Sequence, residues 1–226
     1  MLMVESNKVF QPSDEKLKAI RASVDGSIVT GRNFKEYCQY LDLCPEKLSS
    51  LKILDVGAGM SSFDVTAERF GCEVTKLDAR YSPSFAYPFP SQKNTSDRIA
   101  AYMQYLPFKD NTFDYTFALY ALGWLENIKE TSTTILETIR VTKKVIKICP
   151  VYPITDDESL VTFEEYFKNE PVHLKQRKIS PYKPFYGLDI DKNNNDSHDW
   201  QAIVGKLELC IRYNLKSAGS ALTSIR

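Results

Sequence analysis

The chain has no apolar run approaching the roughly 20 residues that a membrane-spanning helix needs. Its opening residues, MLMVESNKVF, lack the long apolar stretch of a secretory signal. Both absences lead to the expectation of a cytoplasmic protein with no membrane partner. Cysteine is sparse and scattered: Cys38, Cys44, Cys72, Cys149 and Cys210 stand singly, with no CxxC pair. That argues against a zinc site or a disulfide framework, and no metal is expected. Charge of one sign is not in excess either, with 29 Lys and Arg against 29 Asp and Glu and a formal net charge of zero. The basic balance of a nucleic-acid binder is missing, so no nucleic-acid partner is expected. Histidine is limited to His173 and His198. Either can act as a general base near neutral pH, but neither sits in a motif, and the ordinary reading of both is structural.

What the chain does contain fits one sizeable domain. It has 226 residues, 43% hydrophobic and 26% charged, ordinary values for a globular protein with a single core. Near the start, PSDEKLKAIRASV reads as a surface helix and GRNFKEYCQYLDL as a second one. In the latter, Asn33 and Glu36 are spaced as a capping box, and Phe34, Tyr37, Cys38 and Leu41 share one face. A βαβ unit follows: strand KILDVGA, helix SSFDVTAERF, strand CEVTKLDA. Pro83, Pro88 and Pro90 make the next segment a loop. RIAAYM suits a short strand, FDYTFALY a central one, ENIKETSTTILETIRV a helix and KKVIKICPVY another strand. DESLVTFEEYFKN reads as a helix. VHLKQRKI and WQAIVGKLELCIRY read as two closing strands around a loop containing DKNNNDSHD. The alternation predicts an α/β fold: a doubly wound, mostly parallel seven-stranded sheet, helices on both faces, and an antiparallel closing strand.

In such a sheet, ligands sit beyond the carboxyl ends of the strands where the strand order reverses. The stretch DVGAGMSS falls there. Gly57 and Gly59 allow a tight turn and a close main-chain approach, and the first amides of the next helix, near Ser61 and Ser62, can receive an anionic group. Asp78 ends the following strand at about the 20-residue spacing from which an acid reaches ribose hydroxyls. An adenosine-containing ligand follows. A nicotinamide fingerprint wants glycine where this chain has Ser62, and Asp55 is badly placed beside a pyrophosphate but well placed to meet an ammonium. An ammonium, a ribose and no phosphate describe S-adenosylmethionine.

ILDVGAG, VTKLDA and LPFKDNTFDYTF occur in the order and spacing of the class I S-adenosylmethionine-dependent methyltransferases, which the chain resembles over roughly residues 30 to 210. The resemblance implies a Rossmann-like core over 51–213, preceded by a helical lid over 1–50 and followed by a tail over 214–226, all in one domain. It implies S-adenosylmethionine as cofactor and a small molecule as acceptor. Asp55, Gly57, Gly59 and Ser61 would shape the methionine end of the pocket. Asp78, with Ala79 beside it, would hold the ribose. Tyr102 and Met103, ahead of LPF, would line the adenine, and Leu119 would close the pocket at the end of its strand. Tyr102 stands where the family often has an acid, and the helix between the second and third strands is reduced to the proline-rich loop. Arg32 can pair with the cofactor carboxylate or with an acidic substrate. Tyr37, Tyr120 and Trp124 are candidates for the acceptor side, with core packing an equal explanation for Tyr120 and Trp124. The absence of an NPPY-like sequence weakens methylation of base amino groups. A binding or regulatory domain is the alternative to an enzyme, and a nicotinamide oxidoreductase is a more distant one.

Overall fold

The computed structural model describes residues 31–82, 98–122, 128–150, 171–177, 185–192 and 199–204. The helices expected in 12–24 and 157–169, the proline-rich loop, Trp124, His198 and the tail lie outside the described residues.

Among the described residues, seven strands form one sheet in the order β3-β2-β1-β4-β5-β7-β6. They are β1 (Lys52–Val56), β2 (Glu73–Leu77), β3 (Arg98–Ile99), β4 (Phe113–Leu119), β5 (Thr142–Cys149), β6 (Val172–Arg177) and β7 (Phe185–Asp191). β1 pairs in parallel with β2 and β4, β2 with β3, and β4 with β5. β7 runs antiparallel to both neighbours, so the expected fold class is the observed one. The strand order reverses between β1 and β4, which places the switch point beside the first strand.

Two apolar clusters, one per face, follow from the alternation of strand side chains. Leu54 and Val56 of β1 join Ala118, Ile146, Ile148, Leu188 and Ile190 under Ile135 and Ile139 of helix α3 (Ile128–Val141). Ile53, Val74 and Phe117 face the other way, under Tyr37 and Leu41 of α1 (Phe34–Leu41) and Phe63 and Ala67 of α2 (Phe63–Ala67). α1 carries the expected capping box: the Asn33 side chain accepts from the Glu36 N–H at 3.0 Å, and the Asn33 N–H donates to the Glu36 carboxylate at 2.8 Å. Phe34 stacks on Phe63 and Phe70, and Tyr37 on Phe63, which seats α1 against α2. Arg140, near the end of α3, donates to the carbonyls of Leu106 and Phe108 and to Glu137 and Asp110, tying the LPFKD loop to the helix.

The closing elements differ from the sequence reading. WQAIVGKLELCIRY begins as helix, not strand. Residues 200–204 are helical, with Asp199 capping: its side chain accepts from the Ala202 N–H at 3.1 Å, and Ile203 and Val204 turn into the core. Among the described residues the last strand is FYGLDID. Gly187, Asp189 and Asp191 mask its strand character, since glycine and aspartate are poor in strands, yet Leu188 and Ile190 alternate into the core as a strand requires.

Candidate cofactor site

The turn after β1 is pinned to the end of β2. The N–H groups of Gly57 and Ala58 both donate to the Leu77 carbonyl, at 2.8 and 3.2 Å. Gly57 has φ +68° and Gly59 φ +51°, left-handed values that glycine adopts without a Cβ penalty. A Cβ on Gly57 would lie 2.6 Å from the Ala121 Cβ and 3.6 Å from the Met103 Cε. The loop after β4 and the segment before LPF therefore converge on this turn.

Asp55, next to last in β1, is completely buried. Its carboxylate accepts from the Tyr37 hydroxyl, which reaches both oxygens at 2.8 and 2.7 Å, and the Ser61 side chain is a second hydrogen-bonding neighbour. Burial raises its pKa to about 7, against the Tyr37 hydrogen bond and the Lys76 charge, which pull it down. Burial likewise drives the Tyr37 hydroxyl well above the ordinary tyrosine value, reinforced by Asp55. Tyr37 thus lies in the core beneath the turn rather than on an open wall. Lys76, next to last in β2, is also buried. Its ammonium donates to the Ser61 carbonyl and to Asp64 at 3.2 Å, fixing the exit of the turn into α2. The Ser61 hydroxyl accepts from the Phe63 N–H at 3.1 Å, serving the helix start.

Asp78 follows β2 and is 5% exposed. It accepts from the Gly59 N–H at 3.0 Å, which joins the two strand ends across the turn. Arg80 contributes three more donors: its N–H and Nε to Oδ1, each at 2.9 Å, and one terminal nitrogen to Oδ2 at 2.8 Å. Ala79 opens the short 3₁₀ turn that brings Arg80 back. Tyr81 donates its hydroxyl to the Gly59 carbonyl at 2.7 Å. Burial, first, and the Asp78 charge push that hydroxyl far above the usual tyrosine range.

On the far side of the opening, the Arg32 guanidinium lies 4.5 Å above the centre of the Tyr120 ring. The Arg32 carbonyl accepts from the Ser62 N–H at 2.9 Å, while its buried Nε has no hydrogen-bond partner among the described residues. Tyr120, just past β4, has φ +57° and meets the Tyr40 ring edge-on at 5.4 Å. Leu119 is buried at the end of β4, and Tyr102 and Met103 are half-buried. Arg80, Tyr81 and Lys76 were not singled out from the sequence. The available signals were a lysine inside an apolar strand and an arginine two residues beyond Asp78.

The residues fit S-adenosylmethionine at the methionine end. A glycine-rich turn lies beside a buried carboxylate whose neighbouring donors are Tyr37 and Ser61, and the Arg32 Nε has no hydrogen-bond partner among the described residues. At the ribose end the carboxylate is in place but already engaged by Arg80.

Residues 54–145 match the family model described as a methyltransferase domain, a span from β1 into β5. An uncharacterized protein of Methanocaldococcus jannaschii is 28% identical over 144 residues, 62% of this chain and 63% of that protein. Similar solved structures include magnesium protoporphyrin IX methyltransferase from Synechocystis PCC 6803 with bound S-adenosylmethionine. That likeness is 13% identity over 81% of this chain and 86% of the other, with TM-score 0.47. Another is a SAM-dependent methyltransferase from Aquifex aeolicus, at 15% identity over 80% of this chain and 99% of the other, with TM-score 0.43. The family match runs across the glycine turn, Asp78 and the strands that carry them, and over those residues the chain is similar to methyltransferase domains.

Proposed function

We propose that the chain transfers the methyl group of S-adenosylmethionine to a small-molecule acceptor. The observation that carries this reading is the pairing of Asp55 and Asp78 at the ends of adjacent parallel strands, joined by a turn in which Gly57 leaves no room for a side chain. Asp55 faces the methionine ammonium, directly or through water, and Asp78 the ribose. Arg32 supplies a donor for a carboxylate, that of the cofactor or of an acidic acceptor. Tyr102 and Met103 line the adenine, and Tyr120 borders the acceptor.

The bound cofactor supplies an activated methyl on a sulfonium, which is already a good leaving group. What remains for the protein is to hold the acceptor in line and to exclude water. Tyr120 is suited to the first task because it is held on both sides, by Arg32 over its face and Tyr40 at its edge. α1 is suited to the second, since its apolar face closes over α2 beside the turn. No general base is assigned. The engagement of Asp78 by Arg80 favours a second reading, a cofactor-binding or regulatory domain without turnover; a broad acceptor screen separates the two.

Calorimetry tests the cofactor assignment. S-adenosylmethionine or S-adenosylhomocysteine should bind saturably and NAD should not; the reverse pattern would falsify the assignment. Asp78→Ala should weaken binding by about 1.5–3 kcal/mol, the size of the charge-assisted hydrogen bonds removed. Unchanged affinity in a folded variant would place the ribose elsewhere.

A further inference from the structure

We infer that Arg80 is a built-in competitor for the ribose, so that cofactor binding requires its guanidinium to leave Asp78. The inference rests on the cofactor reading above and concerns a residue that reading does not use. A carboxylate offers about four acceptor positions, two on each oxygen. In Asp78 all four are taken. Oδ1 accepts from the Arg80 N–H and Nε, and Oδ2 from the Gly59 N–H and an Arg80 terminal nitrogen.

Two of these donors are main-chain groups fixed by the turn after β1 and the 3₁₀ turn after β2. The other two are the parallel N–H bonds of a guanidinium fork, one to each oxygen. A ribose presents two neighbouring hydroxyls, and two donors to one carboxylate is the pattern that the fork already makes. The ribose cannot be added to this arrangement. It can only replace the side-chain half of it, leaving the Gly59 and Arg80 N–H groups in place.

Replacement is a contest between closely matched partners. The Arg80–Asp78 pair is charge-assisted and bidentate, the stronger class of hydrogen bond, and it is sheltered, with side-chain exposures of 12% and 5%. Two neutral hydroxyls are weaker donors. Displacing Arg80 therefore subtracts from the affinity that the rest of the pocket generates. The arrangement also discriminates among ligands: one with both ribose hydroxyls refills both vacated positions, whereas a deoxyribose refills only one and leaves Asp78 under-satisfied. Arg80 is thus a specificity-determining residue that favours ligands with an intact ribose diol and keeps out those that engage Asp78 by a single hydroxyl.

The test is S-adenosylhomocysteine binding by calorimetry to wild type, Arg80→Met, Asp78→Ala and the double variant. Methionine keeps the apolar stem and removes the fork. Arg80→Met should bind about ten-fold more tightly, as expected for losing one charge-assisted contact from the free state. It should also show a lower melting temperature when free and a larger upward shift with ligand. In the Asp78→Ala background the same substitution should leave affinity unchanged, because the competition has no object. If Arg80→Met folds poorly, Arg80→Lys keeps the charge but not the fork and should give a smaller gain in the same direction. Equal or weaker binding by Arg80→Met, while wild type binds, overturns this inference alone and makes Arg80 a ligand contact or a bystander. No binding by any variant overturns the cofactor reading with it.

Discussion

Gly57→Val should reduce S-adenosylhomocysteine affinity more than any other single change in the turn, by about 100-fold or more, while the sheet still forms. Two costs combine. The residue sits at φ +68°, where a β-branched side chain carries about 1–3 kcal/mol of backbone strain. Its Cβ would also meet the Ala121 Cβ at 2.6 Å, closer than two carbons can approach, so the loop after β4 must move away from the turn. That movement opens the place where the ends of strands β1 and β4 meet, beside the proposed cofactor site. The two costs separate in a second pair of variants, Gly57→Ala and Gly57→Ala with Ala121→Gly. The double change removes the 2.6 Å contact and leaves the strain. It should recover binding in part, and full recovery would mean that the steric contact alone matters. Binding by Gly57→Val at wild-type affinity, with circular dichroism showing a folded protein, would remove this turn from the site.

The glycine turn was legible because its cause is local. A left-handed φ in a strand-to-helix turn asks for glycine whatever surrounds it, and Gly57 and Gly59 fall where the apolar run of β1 stops. Asp78 was legible for the same kind of reason, as the polar residue ending the next apolar run. The partners of these residues were not, because they come from elsewhere in the chain. Tyr37 lies 18 residues before Asp55 and reads equally well as a helix-face aromatic or an acceptor wall; only the packing of α1 on α2 turns its hydroxyl onto the buried acid. Arg80 reads as an ordinary surface cation until the 3₁₀ turn folds it back onto Asp78. The helical start of the closing segment had the opposite origin. WQAIV is apolar enough for either element, and residues 200–204 are helical with the Asp199 cap at their start.

Asp55 should make the ligand-free protein less stable as the pH rises from about 4 toward 7, and Asp55→Asn should abolish most of that slope. A carboxyl group that titrates near 3.8 in the unfolded chain and near 7 when folded keeps its proton in the native state over that interval while the unfolded chain has lost it. The native state then binds more protons, so the contribution is fully present below about pH 4 and is lost as pH climbs through 7. A shift of this size corresponds to about 4 kcal/mol. The groups facing Asp55 are Tyr37 from α1, Lys76 from β2, Asp64 from α2 and Ser61 from the turn. Lys76 and Tyr37 limit the rise, so Tyr37→Phe should extend the dependence to higher pH by removing the hydrogen bond that favours the anion. Denaturant unfolding between pH 4 and 8 measures the slope, and parallel profiles for wild type and Asp55→Asn would show that Asp55 titrates normally. The same protonation ties stability to ligand binding. An ammonium arriving near Asp55 favours the carboxylate, so binding of S-adenosylhomocysteine at pH 6 to 7 should release a proton, visible as different apparent enthalpies in two buffers of different ionisation heat. Asp55→Asn should show weaker binding and no such difference. If wild type also shows none, the ligand's ammonium is not seated near Asp55.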